Sequence, residues 1–141
     1  MDLRIATPAD SAAIAGLVCQ LGYLTEEGEM RARLERLLAS PDELVAVAII
    51  GNEVAGVIEL TSMTTIEAAA HAEIRALVVS DRHRGGGAGA ALVAFAETWA
   101  RERGLSRIRV RSRVEREHAR RFYEREGYAV TKSQNVFDKK L

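Results

Sequence analysis

The apolar positions switch between two periods along the chain. Leu3-Arg4-Ile5 alternates and predicts a short strand, whereas Ile14, Leu17, Val18 and Leu21 recur at helical spacing. Between them, Thr7 or Asp10 can cap the helix, and Pro8 is tolerated in its first turn. Gly22 ends that helix. Thr25 and Gly28 open a more polar one, whose buried stripe is Met30, Leu34, Leu37 and Leu38, and Ser40-Pro41-Asp42 stops it. Leu44 to Ile50 is a dense aliphatic run of strand length. Gly51-Asn52 is a hairpin signal, and Val54 to Leu60 is the returning strand, weakened by Gly56. Ser62 to Thr65 predicts a polar loop and Ala72 to Val79 another strand. A helix follows from about Gly87 to Arg103, ended by Gly104. Ile108-Arg109-Val110 predicts a strand, Arg116 to Glu126 an amphipathic helix ended by Gly127, and Tyr128 to Val130 and Asn135 to Phe137 two closing strands. The order β-α-α-β-β-β-α-β-α-β-β implies an α/β sheet, antiparallel in its middle and flanked by helices. With no repeat, low-complexity tract or linker, residues 1–141 read as one domain.

The pattern is densest in glycine where the strand ending at Val79 meets the helix containing Leu92, Phe95, Ala96 and Trp99. Gly85, Gly86, Gly87 and Gly89 occupy four of five positions. Each costs roughly 1 kcal/mol against alanine in a regular element, so the cluster needs a reason. A glycine turn opening a helix offers unpaired N–H groups and the positive end of the helix dipole to an anion such as a pyrophosphate. A Walker A loop would require Lys-Ser or Lys-Thr where Ala90 and Ala91 stand. A Rossmann fingerprint would put its third glycine at Ala90 and belongs to a first βαβ unit, whereas several elements precede this one.

Composition narrows the partners. The 20 Lys and Arg balance the 20 Asp and Glu, so net charge favours neither nucleic acid nor a membrane surface as partner, although most basic residues lie after residue 80. Cys19 is the sole cysteine, which excludes an intramolecular disulfide and a cysteine-based metal site; its place on an apolar helical stripe predicts a core residue. No signal-peptide pattern or membrane-length apolar run is present, and a cytoplasmic setting is expected. The scattered histidines argue against a structural metal.

Arg84-x-x-Gly87-x-Gly89, followed by Leu92, resembles the acetyl-CoA signature of the GNAT family (Gcn5-related N-acetyltransferases). About thirty residues on, Ala119-Arg120-Arg121-Phe122-Tyr123 with Gly127-Tyr128 is similar to that family's second conserved stretch. Arg4-Ile5-Ala6-Thr7 with Asp10 is similar to its opening. The resemblance spans essentially the whole chain. It implies a GNAT fold, with a mixed, mainly antiparallel sheet of six or seven strands and four helices. It implies an N-acetyltransferase that moves an acetyl group from acetyl-CoA to a primary amine by direct attack in a ternary complex. A weakly catalytic acyl-CoA-binding or sensing module is the alternative.

The family pattern also implies roles. Backbone N–H groups of Arg84, Gly85, Gly86, Gly87, Ala88, Gly89 and Ala90 would hold the pyrophosphate. The backbone of Leu77, Val78 and Val79 would pair with the pantetheine arm, and an N–H at or near Leu77 would polarise the thioester carbonyl, worth ~3 kcal/mol. Arg84 adds charge or pairs within the protein. Tyr123 is the candidate general acid for the leaving thiolate; on sequence grounds alone a packed core tyrosine is the competing reading. Glu73, eleven residues before Arg84, is the candidate general base; the competing reading is a solvent-facing strand carboxylate. His71 and His118 are fallback bases, each more readily a surface residue. Arg116 stands where the family often has a cofactor-contacting asparagine, seven residues before Tyr123, and could reach a phosphate instead. Arg120, Arg121 and Arg125 read as a solvated helix face. The acceptor, an unidentified amine, would meet Gln20 to Glu27 and Thr131 to Val136; Glu26, Glu27 and Glu29 could attract it or simply oppose the helix dipole. A homodimer is plausible on the same resemblance.

Overall fold

The apolar runs of residues 1–110 find their partners through the sheet. A computed structural model describes residues 1–141, in the order β1 (Asp2–Ile5), α1 (Ser11–Cys19), α2 (Glu27–Leu38), β2 (Glu43–Ile50), β3 (Glu53–Met63), β4 (His71–Val79), α3 (Ala88–Glu102), β5 (Ile108–Val110) and α4 (Glu117–Arg125). Single 3-10 turns lie at Pro8–Asp10 and Asp81–His83. The chain divides into two compact units, Met1–Val110 and Arg111–Leu141.

In the first unit the five strands lie in sequence order. The pairs β1–β2, β2–β3 and β3–β4 are antiparallel, and β4–β5 is parallel, as the α3 crossover requires. Strand β2 reads as a continuous aliphatic run because both of its faces are covered. On one face Val45, Val47, Val57 and Val78 pack with Ile14 and Leu17 of α1 and Met30 and Leu34 of α2. The other face carries Ala46 opposite Ile58 and Leu44 opposite Leu60. It lies against α3, whose buried stripe is Ala88, Leu92, Val93, Ala96 and Ala100. Gly56 marks the closest approach. A β-carbon there would stand 3.0 Å from Leu92 Cδ1 and 3.1 Å from the Val78 carbonyl oxygen. The strand propensity lost at Gly56 is thus exchanged for tight packing of helix on sheet.

The start of α1 is fastened by Asp10. Its buried carboxylate accepts the Thr7 N–H at 2.8 Å and a two-pronged contact from Arg4 at 2.8 and 2.9 Å. The Arg4 guanidinium holds the Asp10 carboxyl below its usual range against the opposing effect of burial. α3 ends in a Schellman motif, with Leu105 N–H bonded to Ala100 O and Gly104 N–H to Arg101 O. Gly104 takes φ +75°, which disfavours any side chain.

Several expectations need correction. Cys19 is exposed, because it sits in the last turn of α1, off the buried stripe. Strand β3 continues to Met63, through part of the expected polar loop, because Ser62 and Met63 find partners in Ala72 and His71. The sheet has five strands, not six or seven. Residues 129–141 are exposed throughout and form no strand, although Tyr128–Val130 and Asn135–Phe137 carry strand-type residues. Strand propensity is realised only where a neighbour completes the backbone ladder.

The second unit centres on α4. Arg120, Arg121 and Arg125 are exposed, as expected of a solvated face, and Arg120 pairs with Glu124 at 3.3 Å. Its C-terminus is a second Schellman motif. Tyr128 N–H bonds Tyr123 O at 2.9 Å, Gly127 N–H bonds Glu124 O at 3.1 Å, and Gly127 has φ +93°.

Candidate functional site

The backbone of β4 carries the most informative geometry. Ala72 N–H donates to Arg107 O at 3.0 Å, so Ala72 and Ile74 direct their backbone toward β5. Ser80 N–H donates to Ala55 O at 2.7 Å, so Ser80, Val78 and Ala76 direct theirs toward β3. The two parities are reconciled by a bulge: Glu59 faces Ala76 while Leu60 faces Ile74, which leaves Arg75 as the extra residue. Strand β5 pairs only with Ala72, Glu73 and Ile74. Leu77 and Val79 therefore turn N–H and C=O to an edge that no strand of this unit pairs. An extended ligand can complete that ladder as an added strand would.

The glycine turn continues directly from this edge. After the Asp81–His83 turn, Arg84 is extended, and Gly85 and Gly87 take φ +79° and +85°. Gly87 is the N-cap of α3 and supplies no side-chain cap, so the first N–H groups of the helix, at Ala88, Gly89 and Ala90, meet no side-chain acceptor. That is the polarity an anion requires, and the helix dipole adds roughly 0.3–1 kcal/mol for a charge at its end. Arg84 pairs with Asp81 at 2.7 Å with both side chains exposed, so its charge is partly engaged. His83 and Arg82 both reach Glu53, at 3.0 and 3.1 Å, and the His83 contact chiefly holds the Glu53 carboxyl below its usual range. Asp81 N–H donates to Gln20 Oε1 at 3.1 Å, which ties the end of α1 to the turn.

Glu73 is buried at 2% exposure, which removes the solvent-facing alternative. Its Oε1 accepts Arg75 Nη1 at 3.2 Å, and its Oε2 lies 3.4 Å from His71 Nε2. His71, expected at the surface, is instead buried at 3%, and its Nδ1–H donates to Ala69 O at 3.0 Å. Register places Glu73 in one row with Glu43, Thr61 and Arg109 on the α1/α2 face of the sheet. Glu59 lies on the same face. Burial pushes its carboxyl up, the Glu43 carboxylate adds to this, and Arg75 opposes it. The Glu59 environment did not stand out along the sequence, and His71 did so only as a fallback base expected at the surface. The only available signal was the spacing of His71, Glu73 and Arg75 at alternate positions of one strand.

In the second unit Tyr123 is half-buried on α4, edge-on to Phe122 at 5.1 Å and to Tyr128 at 5.7 Å. Burial pushes its phenol up to about 12, against the opposing charge of Arg116. The ring is thus a neutral O–H donor across the whole physiological range. Arg116 is exposed at the N-cap of α4. Tyr128, read from sequence as a strand residue, belongs to the helix cap that orients Tyr123. His118 is exposed. Glu27 and Glu29 stand in the first turn of α2, where they oppose the dipole, and Glu29 pairs with Arg33 at 3.8 Å. Tyr23 and Leu24, between α1 and α2, are exposed.

Known proteins share both the sequence pattern and the fold. The family described as "Acetyltransferase (GNAT) family" matches residues 15–128. The chain is 34% identical over 134 residues to an aminoalkylphosphonate N-acetyltransferase of Salmonella typhimurium, covering 90% of this chain and 84% of that protein. Its fold matches an aminoglycoside 6′-N-acetyltransferase of Acinetobacter haemolyticus, with TM-score 0.87, 19% identity and coverage of 100% and 99% of the two chains. It also matches an aminoglycoside N-acetyltransferase in complex with CoA, with TM-score 0.85, 15% identity and coverage of 99% and 100%.

Proposed function

Because the chain belongs to the GNAT acetyltransferase family, we propose that it moves the acetyl group of acetyl-CoA directly to the primary amine of a small acceptor. The observation that carries this reading is the continuity of β4 with the start of α3: a buried carboxylate, an unpaired strand edge and an uncapped helix start follow one another in sequence. The N–H groups of residues 84–90 fit a pyrophosphate. The unpaired backbone of Leu77 and Val79 fits an amide-bearing arm, with Val78 holding the strand in the core from the other side. Bound acetyl-CoA supplies an activated thioester. The Leu77 N–H, fixed in direction by the bulge, would polarise its carbonyl, for about 3 kcal/mol.

Glu73 would take the proton that an acceptor ammonium must lose. Tyr123 would give its proton to the departing thiolate; between a phenol near 12 and a thiol near 8.5 this costs about 5 kcal/mol before the site tunes either group. Arg84 and Arg116 would add positive charge for phosphates. The relative from Salmonella typhimurium supports a small aminoalkyl acceptor carrying an anionic group. Residues 20–27 and 131–136 would surround it, residues 1–141 acting as one catalytic domain and two copies forming a homodimer, which light scattering would read.

The test is thiol release from acetyl-CoA across a panel of aminoalkylphosphonates, amino acids, polyamines and aminoglycosides, repeated with Tyr123→Phe and Glu73→Gln. Turnover with a small aminoalkyl acid supports the reading. Acetyl-CoA binding without turnover on any amine would favour an acyl-CoA sensor instead.

A further inference from the structure

We infer that His71 is a positioning residue for Glu73 and also takes up the proton that Glu73 accepts, so that the two side chains act as a single base. This rests on the reading of Glu73 as the group that deprotonates the acceptor amine. Both residues lie on one face of β4, two positions apart, and both side chains are 3% exposed. The His71 ring has its tautomer set from outside the pair. Its Nδ1 contacts the Ala69 carbonyl at 3.0 Å, and a carbonyl only accepts, so Nδ1 carries hydrogen. Nε2 then faces Glu73 Oε2 at 3.4 Å. Without a proton between them, this would bring a nitrogen lone pair against a carboxylate in a buried setting. The geometry is that of a pair built to share one proton, either as imidazolium–carboxylate or as imidazole–carboxylic acid.

Charged and titratable groups of four strands, β2 to β5, lie around the pair. Arg75, half exposed on β4 itself, holds Glu73 Oε1 at 3.2 Å. Arg109 is the register partner of Glu73 on β5, and Thr61 its partner on β3. The Thr61 hydroxyl is given to Glu43 of β2 at 2.7 Å. Glu59 of β3 lies beyond the bulge, and the residue opposite His71 is Met63, which does not titrate.

In the working direction the pair has first lost that proton to solvent and holds net charge −1, which the Arg75 guanidinium at Glu73 Oε1 offsets. The acceptor ammonium gives one proton to the Glu73 carboxylate and becomes a neutral amine with a free lone pair. The proton settles between Glu73 Oε2 and His71 Nε2, and the pair becomes neutral. After the product leaves, the proton is lost to solvent. A carboxylate held by Arg75 is by itself a weak acceptor for an ammonium proton. An imidazole behind it gives the accepted proton a second site, so that transfer from an amine is less uphill.

The experiment follows kcat/KM against pH for the wild type, His71→Gln and Glu73→Gln, using the best amine of the panel. It is joined to nitrogen NMR of the histidine rings in the acetyl-CoA-free protein. In His71→Gln the acidic limb should move to lower pH by about one unit or more, with kcat at neutral pH reduced on the order of tenfold. A residue that only supports the fold would lower activity and leave the limb in place. In the wild type, His71 should hold hydrogen on Nδ1 throughout and gain it on Nε2 at the pH of the activity limb. Glu73→Gln should move that uptake to lower pH, a measurement that needs no acceptor and decides the matter even if His71→Gln does not fold. An unmoved limb in folded His71→Gln, or a His71 titration indifferent to Glu73→Gln, overturns the inference. If Glu73→Gln keeps full activity and the wild-type limb, it is the assignment of Glu73 as base that fails. If Glu73→Gln is inactive while the His71→Gln limb is unmoved, only the role of His71 fails.

Discussion

Replacing Gly87 with alanine tests the site through its backbone alone. Gly87 has φ +85° and ψ 5° as the N-cap of α3, and nothing lies within 4 Å of where a β-carbon would be built. The added methyl therefore meets no neighbour, and the whole cost is that of holding an L-residue in the left-handed region, about 1–2 kcal/mol. The turn can respond in two ways. If it keeps its conformation, stability falls by that amount, which for a chain of 141 residues lowers Tm by roughly 3–8 °C and leaves the acetyl-CoA affinity intact. If it relaxes, Tm is kept and the strain is met on binding, weakening Kd for acetyl-CoA by about 5–30-fold. The two losses should sum to the same 1–2 kcal/mol. Thermal denaturation with calorimetric titration of acetyl-CoA measures both. Gly87→Asn should recover part of the loss, because asparagine tolerates the left-handed region. An alanine variant with unchanged Tm and unchanged Kd would refute the claim that this conformation is what presents the helix N–H groups.

Tyr123→Phe keeps both edge-on ring contacts and should leave Tm nearly unchanged, while kcat falls about 10²–10⁴-fold without a change in the shape of its pH profile below about pH 10, since the phenol is already neutral there. Gly56→Ala should destabilise by about 1–3 kcal/mol in denaturant titration, because the Val78 carbonyl 3.1 Å away belongs to a strand backbone that cannot step aside. Asp10→Asn should cost about 2 kcal/mol at neutral pH, read from the same titration. The folded-state pKa of Asp10 is lowered, so its contribution is present above the ordinary carboxylate range and is lost as pH falls through and below it; the stability curves of the wild type and of Asp10→Asn should converge in acid.

Much of this protein was legible along the chain because it is written in local terms. Periodicity placed β1 through α4 in order, since burying one stripe or one face needs only the right spacing. Gly22, Gly51, Gly104 and Gly127 marked real ends because each holds a positive φ that other residues resist. The glycine-rich helix start and its fit to an anion lay in contiguous residues, and the resemblance that pointed to the family lay in three short segments. Tertiary structure decided what depends on neighbours distant in sequence. The closing strands failed because propensity without a partner forms no ladder. Cys19 and His71 changed places between core and surface, since burial depends on what covers a face and not on the apolar character of the residues beside it. The bulge at Arg75 required the register of β3 against β4. It sets which backbone groups of Leu77 and Val79 reach the free edge. The partnership of His71 with Glu73 required the Ala69 carbonyl, which orients a ring whose chemistry the sequence records only as a histidine two residues before a glutamate.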